Sequence, residues 1–192
     1  MKFKTAAYRS AVIITILALA VGIGYVYSKI GHAFDLREHP RDFEEIVGEY
    51  SAAYGVPEYI IYGTIKESSD FRSNFVSADG RIGLMQLSDD TFYRLTRITK
   101  EDLESGMLYD PETNIRYGTY HLSRLYTEYG RWNTVFAILV TDDEELVRSW
   151  LVTDDQSDSR GSLRSIPDSD VEERVARLEA AAKMYKELYY GG

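Results

Sequence analysis

Residues 65–87 read Ile65-Lys66-Glu67-Ser68-Ser69-Asp70-Phe71-Arg72-Ser73-Asn74-Phe75-Val76-Ser77-Ala78-Asp79-Gly80-Arg81-Ile82-Gly83-Leu84-Met85-Gln86-Leu87, and the rest of the chain is organised around them. An apolar stretch, Pro57 to about Ser68, runs into this segment. Its Tyr59, Ile60, Ile61, Tyr62 and Ile65 fall on several faces of a helix, the pattern of a buried one. Glu67 and Ser68 sit where that helix should end. A polar, glycine-containing loop follows, and then the compact run Gly83-Leu84-Met85-Gln86-Leu87. A carboxyl at a helix end beside an apolar segment loses part of its hydration, which favours the protonated form that a general acid needs. Gln86 and Ser77, arriving from the loop, are suited to orienting a hydroxyl-rich ligand beside it.

Outward from this stretch the pattern is helical. Upstream, Pro40 fits the first turn of a helix whose Phe43, Ile46, Val47, Tyr50 and Tyr54 share one face. Gly55 ends it, and Pro57 opens the next. Downstream, Ser88 reads as the N-cap of a helix through Thr91, Phe92 and Leu95, and Thr99 as the cap of a shorter one. Asp110-Pro111 is a cap followed by proline at the first helical position. It starts a stripe of Ile115, Gly118, Thr119, Leu122, Leu125, Tyr126 and Tyr129 that stops at Gly130. Further helices are expected near Trp132, over Asp142 to Leu151, and over the stripe Val171, Val175, Leu178, Ala182, Tyr185 and Leu188. Residues 153–167 read as a surface loop. No period-2 strand appears, so the expected fold is all-α with little or no sheet.

Composition narrows the function. The chain has 192 residues and no cysteine, so it holds neither a disulfide nor a thiolate metal site. His32, His39 and His121 show no ligand spacing, which argues against zinc, and His121 reads as a surface residue. No metal and no cofactor are expected. The acidic run Asp142-Asp143-Glu144-Glu145 is accounted for by a helix N-terminus. A total charge of −9 with +4 on residues 1–29 leaves −13 on residues 30–192, a poor match to a phosphate backbone, so no nucleic-acid partner is expected.

Ser10 to Ser28 carries no charge for nineteen residues, close to the roughly 20 that cross a bilayer as a helix. Lys2, Lys4 and Arg9 precede it, and Tyr25 and Tyr27 lie near its far end. Residues 1–29 are therefore expected to be a cytoplasmic N-terminus and transmembrane anchor, with 30–39 a juxtamembrane linker and 40–190 a domain on the outer side of the cytoplasmic membrane. A cleaved signal peptide with Ala18-Leu19-Ala20 as its site is the weaker alternative, because that site falls inside the apolar run.

Four runs, in this order and spacing, carry a resemblance: Glu67-Ser68, Phe75-Val76-Ser77, Gly83-Leu84-Met85-Gln86-Leu87, and Leu108-Tyr109-Asp110-Pro111-Glu112-Thr113-Asn114-Ile115-Arg116-Tyr117-Gly118. Residues 40–190 resemble the catalytic domain of family 23 lytic transglycosylases, which has a lysozyme-like α fold. The resemblance implies an enzyme acting on peptidoglycan glycan strands, with Glu67 as the single catalytic acid. It also implies that Ser68, Ser77, Met85, Gln86 and Tyr117 line the sugar cleft, and that Asp170 stands in for a later glutamate. In such an enzyme the substrate's own muramic C6 hydroxyl is the nucleophile, so no second carboxylate is required. Glu67 is then expected in apolar or carboxylate-rich surroundings. Cell-wall remodelling proteins are candidate partners.

The chain departs from the family pattern in three places. One extra residue lies between Ser68 and Phe71, which predicts a bulge at Ser69-Asp70. Leu139 and Val140 occupy the places of a tyrosine and an asparagine, and neither side chain forms hydrogen bonds. Arg174-Val175 replaces a Tyr-Val pair. These losses motivate an alternative, a catalytically weak or inactive glycan-binding domain of the same fold. Tyr117, Tyr120 and Asn133 are the residues to examine as replacements near Glu67.

Overall fold

The computed structural model describes residues 17, 19–26, 29–31, 34–152 and 161–191. They fall into two units, Met1–Pro40 and Arg41–Gly192. In the first, the described residues between 17 and 38 are helical and expose Leu17, Leu19, Val21, Ile23, Tyr25, Val26, Ile30 and Phe34. Among the described residues no helix is long and apolar enough to cross a membrane. Much of the expected span, residues 10–16, 18, 27 and 28, lies outside them, as do Lys2, Lys4 and Arg9.

The second unit is built from helices α1 (Glu44–Tyr54), α2 (Glu58–Ser69), α3 (Asp89–Thr99), α4 (Pro111–Tyr129), α5 (Trp132–Thr141), α6 (Glu144–Trp150) and α7 (Ser169–Tyr189). The caps foreseen in the sequence are made. Ser88 accepts from Thr91 N at 3.1 Å, and Asp110 accepts from Thr113 N at 2.9 Å ahead of Pro111. Gly55 and Gly130 take left-handed conformations, φ 68° and 67°, where a side chain would be strained. The first helix begins at Glu44 and not at Pro40, after a left-handed Phe43.

Three local expectations are corrected. Thr99 starts no helix; it ends α3, and its hydroxyl bonds Thr96 O at 3.1 Å and meets Tyr117 Oη at 2.9 Å. A 3-10 turn, Ser105–Tyr109, follows instead. Leu151–Val152 (β1) and Ser162–Leu163 (β2) form a small antiparallel pair, with Leu151 opposite Leu163, inside what read as helix end and loop. The helix over the acidic run starts at Glu144 with Asp143 as its cap, accepting from Leu146 N at 2.9 Å.

The main core gathers side chains from α1, α2, α4, α5 and α7, including the fully enclosed Ile61, Tyr62, Ile65, Ile115, Phe136 and Tyr185. Burying each such side chain contributes roughly 1.5–3 kcal/mol before conformational entropy is set against it. A smaller cluster of Leu87, Phe92, Leu95, Leu108 and Tyr117 lies on the other flank of α4. That helix is therefore buried on two sides. Helix α2 packs along α7, and their tyrosine rings at 62 and 185 stack at 5.3 Å.

Candidate active site

Helix α2 is anchored by its apolar residues, and its last turn delivers Glu67 and Ser68 to the wall of a groove of about 200 Å³. The predicted bulge is absent at Ser69, which stays helical and buried. Its hydroxyl donates to Leu84 O at 2.8 Å and so pins the helix end to the Gly83–Gln86 loop. The chain turns one step later, where Asp70 and Phe71 both take positive φ (50° and 60°).

The loop that faces Glu67 is held by backbone bridges of Val76 with Ile82 and of Ile82 with Leu87. Asn114, fully buried on α4, fixes its far side. Its Oδ1 accepts from Met85 N at 2.8 Å, and its Nδ2 donates to Ile82 O at 2.9 Å and Leu108 O at 2.8 Å. Gly83, at φ 81°, has no room for a Cβ because Asn114 and Leu108 O occupy that space. Asn114 was quoted in the sequence motif without a role. The available signal was a side chain that competes with helical backbone sitting next to the apolar stripe of α4.

Ser77, Met85 and Gln86 line the groove with Glu67 and Ser68, so five of the expected site residues are brought together. Ser77 donates to Asp79 Oδ1 at 2.5 Å and accepts from Arg81 N at 3.0 Å. That hydrogen bond from Ser77, with the Arg81 guanidinium beside it, holds the Asp79 carboxyl below its ordinary range. Gln86, in a left-handed conformation at φ 52°, donates from Nε2 to Phe75 O and Gly83 O. Its Oε1 is buried and has no partner among the described residues.

Tyr117 and Asp170 lie elsewhere. Tyr117 packs edge-on against Phe92 at 4.9 Å in the smaller core, away from the groove, and burial raises its hydroxyl pKa. Its place off the main stripe of α4 reflects that second buried side, not a cleft. Asp170 is exposed in the first turn of α7, where its N–H donates to the capping Asp168. Tyr120 packs against the smaller cluster, and Asn133 bonds its neighbour Thr134 beside β2.

At the positions lacking the tyrosine and asparagine, the backbone of Leu139 and Val140 is used instead. Both carbonyls accept from the Arg81 guanidinium, that of Val140 at 2.9 Å. Asp142 caps the end of α5 with φ 54° and accepts from Thr91 Oγ1 at 2.9 Å. His121 also reaches the groove wall and is only 4% exposed, which corrects the reading of it as a surface residue. Burial, and then Arg94, push it down to about 4.

The partner of Glu67 was not foreseen. Arg177 of α7 donates from Nε to Glu67 Oε1 at 2.5 Å and from its terminal nitrogen to Glu173 at 2.7 Å. The Glu67 side chain is 28% exposed and that of Arg177 47%. The charged partner of Glu67 is thus a cation, and this hydrogen bond raises the Arg177 pKa. While that contact is closed, Glu67 Oε1 is occupied by the guanidinium and is not open to a ligand.

The mostly helical domain thus places Glu67, at the end of α2, in one groove with Asp79, Asp142, Met85 and Gln86. Residues 45–138 match the Transglycosylase SLT domain family. It is 25% identical over 150 residues to the soluble lytic murein transglycosylase of Escherichia coli, a match covering 77% of this chain and 23% of that protein. It is 25% identical over 183 residues to membrane-bound lytic murein transglycosylase C of Edwardsiella ictaluri, covering 88% of this chain and 50% of that one. The lytic transglycosylase Slt of Pseudomonas aeruginosa, solved as an inactive glutamate-to-glutamine mutant, superposes with a TM-score of 0.69 at 23% identity. That superposition covers 80% of this chain and 25% of the other. The chain therefore spans about a quarter to a half of the length of these relatives.

Proposed function

We propose that the protein is a peptidoglycan lytic transglycosylase that cleaves between N-acetylmuramic acid and N-acetylglucosamine, with Glu67 as acid and then base. The observation that carries this reading is Glu67 at the rim of a groove shared with Ser68, Ser77, Met85 and Gln86. Once protonated, Glu67 gives its proton to the bridging oxygen as the bond from that oxygen to C1 breaks. The muramic C6 oxygen attacks C1, and its proton passes to the Glu67 carboxylate. A 1,6-anhydro ring forms, no water is consumed, and Glu67 returns to its starting state. The Pseudomonas enzyme's inactivity as a glutamate-to-glutamine mutant agrees with this role for a glutamate.

The same proposal places the domain on the outer face of a membrane. The charge-free run Ser10–Ser28 supports this, as do the exposed Leu17, Leu19, Val21, Ile23 and Val26 and the membrane-bound Edwardsiella relative. Full-length protein incubated with murein sacculi is expected to release 1,6-anhydromuropeptides, and Glu67→Gln protein to release none. Products with free reducing ends would instead assign water as the nucleophile.

A second reading rests on the ion pair of Arg177 with Glu67 together with the apolar side chains at 139 and 140. In it, the domain holds glycan strands and turns them over slowly or not at all. Co-sedimentation with sacculi without soluble products supports this reading, and rapid release of anhydro products excludes it.

A further inference from the structure

The charged groups around the groove are unequally committed. Arg81 is held by Asp79 at 2.9 Å and by the two carbonyls of α5, and Asp142 is engaged by Thr91. Arg174, one turn before Arg177 on the same face of α7, lines the groove, is exposed, and has no carboxylate partner among the described residues. Arg177 is paired, but with the one carboxylate the proposed reaction must set free. Of the three guanidiniums that line the groove, Arg81 is fully committed, Arg174 has no carboxylate partner among the described residues, and Arg177 is held by Glu67. The three are matched in number by Glu67, Asp79 and Asp142, so the site for an anionic ligand group is the guanidinium without a carboxylate partner, Arg174, with Arg177 one turn away.

A peptidoglycan strand is neutral along its sugar backbone, and its anions are carboxylates. One is the lactyl carboxylate of muramic acid where no peptide is attached; the others belong to stem peptides. A guanidinium's fork of donors matches a carboxylate with two parallel hydrogen bonds. We propose that Arg174 and Arg177 bind a carboxylate of the glycan strand beside the bond to be cut, and that Arg177 exchanges Glu67 for it as the strand enters. The exchange leaves the guanidinium paired throughout and removes the cation from Glu67 only when substrate is present. This rests on the reading of the groove as a glycan site and adds to it the chemical group that is recognised and the residues that recognise it.

The test uses full-length protein and three strand preparations: peptide-free strands, the same strands with their lactyl carboxylates converted to methylamides, and strands that keep their stem peptides. Binding of the peptide-free strands is expected to exceed that of the amidated strands by about tenfold, the difference that one charge-assisted contact makes. Arg174→Gln combined with Arg177→Gln is expected to abolish that preference. Glu67→Gln, which releases Arg177, is expected to tighten binding of carboxylate-bearing strands by about fivefold and leave the amidated strands unchanged. If peptide-bearing strands bind better than both, the carboxylate recognised is that of the stem peptide. Equal binding of charged and amidated strands by the unmodified protein, with no gain for peptide-bearing ones, overturns this inference alone. Failure to bind any strand overturns the glycan reading as well.

Discussion

Gly63 of α2 and Ala182 of α7 meet where the two helices cross, and a Cβ on Gly63 would lie 2.6 Å from both the Cα and the N of Ala182. The contact is with backbone, so no rotamer change relieves it. This crossing matters beyond packing, because α2 carries Glu67 and α7 carries Arg177.

Gly63→Ala is therefore expected to cost about 1–3 kcal/mol despite the better helix propensity of alanine. Gly48→Ala on α1 is the control, since the nearest atom to its added Cβ is Glu58 Oε1 at 3.9 Å. That change is expected to be neutral or to stabilise by up to about 1 kcal/mol. Urea unfolding of the two variants checks the contrast, and equal midpoints would remove the close-crossing explanation.

Asn114 closes three hydrogen bonds, two that join α4 to the loop facing Glu67 and one to Leu108 O in the 3-10 turn. Asn114→Ala leaves the Met85 N–H and the Ile82 and Leu108 carbonyls without their partner in a buried place. A loss of about 3 kcal/mol or more is expected, at about 1–3 kcal/mol for each stranded group with some relief from water. Hydrogen exchange at Met85 N–H should rise more steeply than at amides in the centre of α7. Uniform acceleration across the domain would show that Asn114 has no local hold on the loop.

Much of this architecture was legible in the sequence because its signals are local. Ser88, Asp110-Pro111, Gly55 and Gly130 act on backbone groups within a few residues, and each does so here. Of the groove residues, Glu67, Ser77 and Gln86 were legible from their local setting, while Ser68 and Met85 rested on the resemblance. Tyr117 was misplaced because a single stripe implies a single buried face, whereas α4 is packed on two. His121 was misplaced because the groove wall it meets is assembled from distant segments. Arg177 could not be found this way: it lies 110 residues from Glu67 and reaches it only through the α2–α7 packing.

Glu67→Gln separates chemistry from fold. Removing a general acid is expected to lower release of anhydromuropeptides by about 10²–10⁴-fold. Stability is expected to change by less than about 1 kcal/mol, because both partners in the ion pair with Arg177 are partly exposed. Turnover on sacculi and a thermal melt of the same preparation measure the two. A large fall in melting temperature would mean that Glu67 holds the fold together, and loss of activity would then say nothing about acid catalysis.

His121 makes stability depend on pH through a group unrelated to the proposed acid. Burial first, then Arg94 and Arg124, lower it from 6.5 to about 4, while Asp142 and Glu144 act in the opposite sense. Between those two values the unfolded chain binds a proton there and the folded chain does not, so stability rises with pH. The contribution is complete above about pH 6.5, declines as pH falls below that, and is gone below about 4, a span worth roughly 3 kcal/mol. Carboxylates titrate in part of the same range, so the measurement is a difference: unfolding free energy against pH for the unmodified protein and for His121→Gln. The substituted protein is expected to lose less stability on acidification from pH 6.5 to 4.5, by close to one proton's worth of slope. Parallel curves would mean that the imidazole is protonated without cost inside the fold, contrary to its burial among arginines.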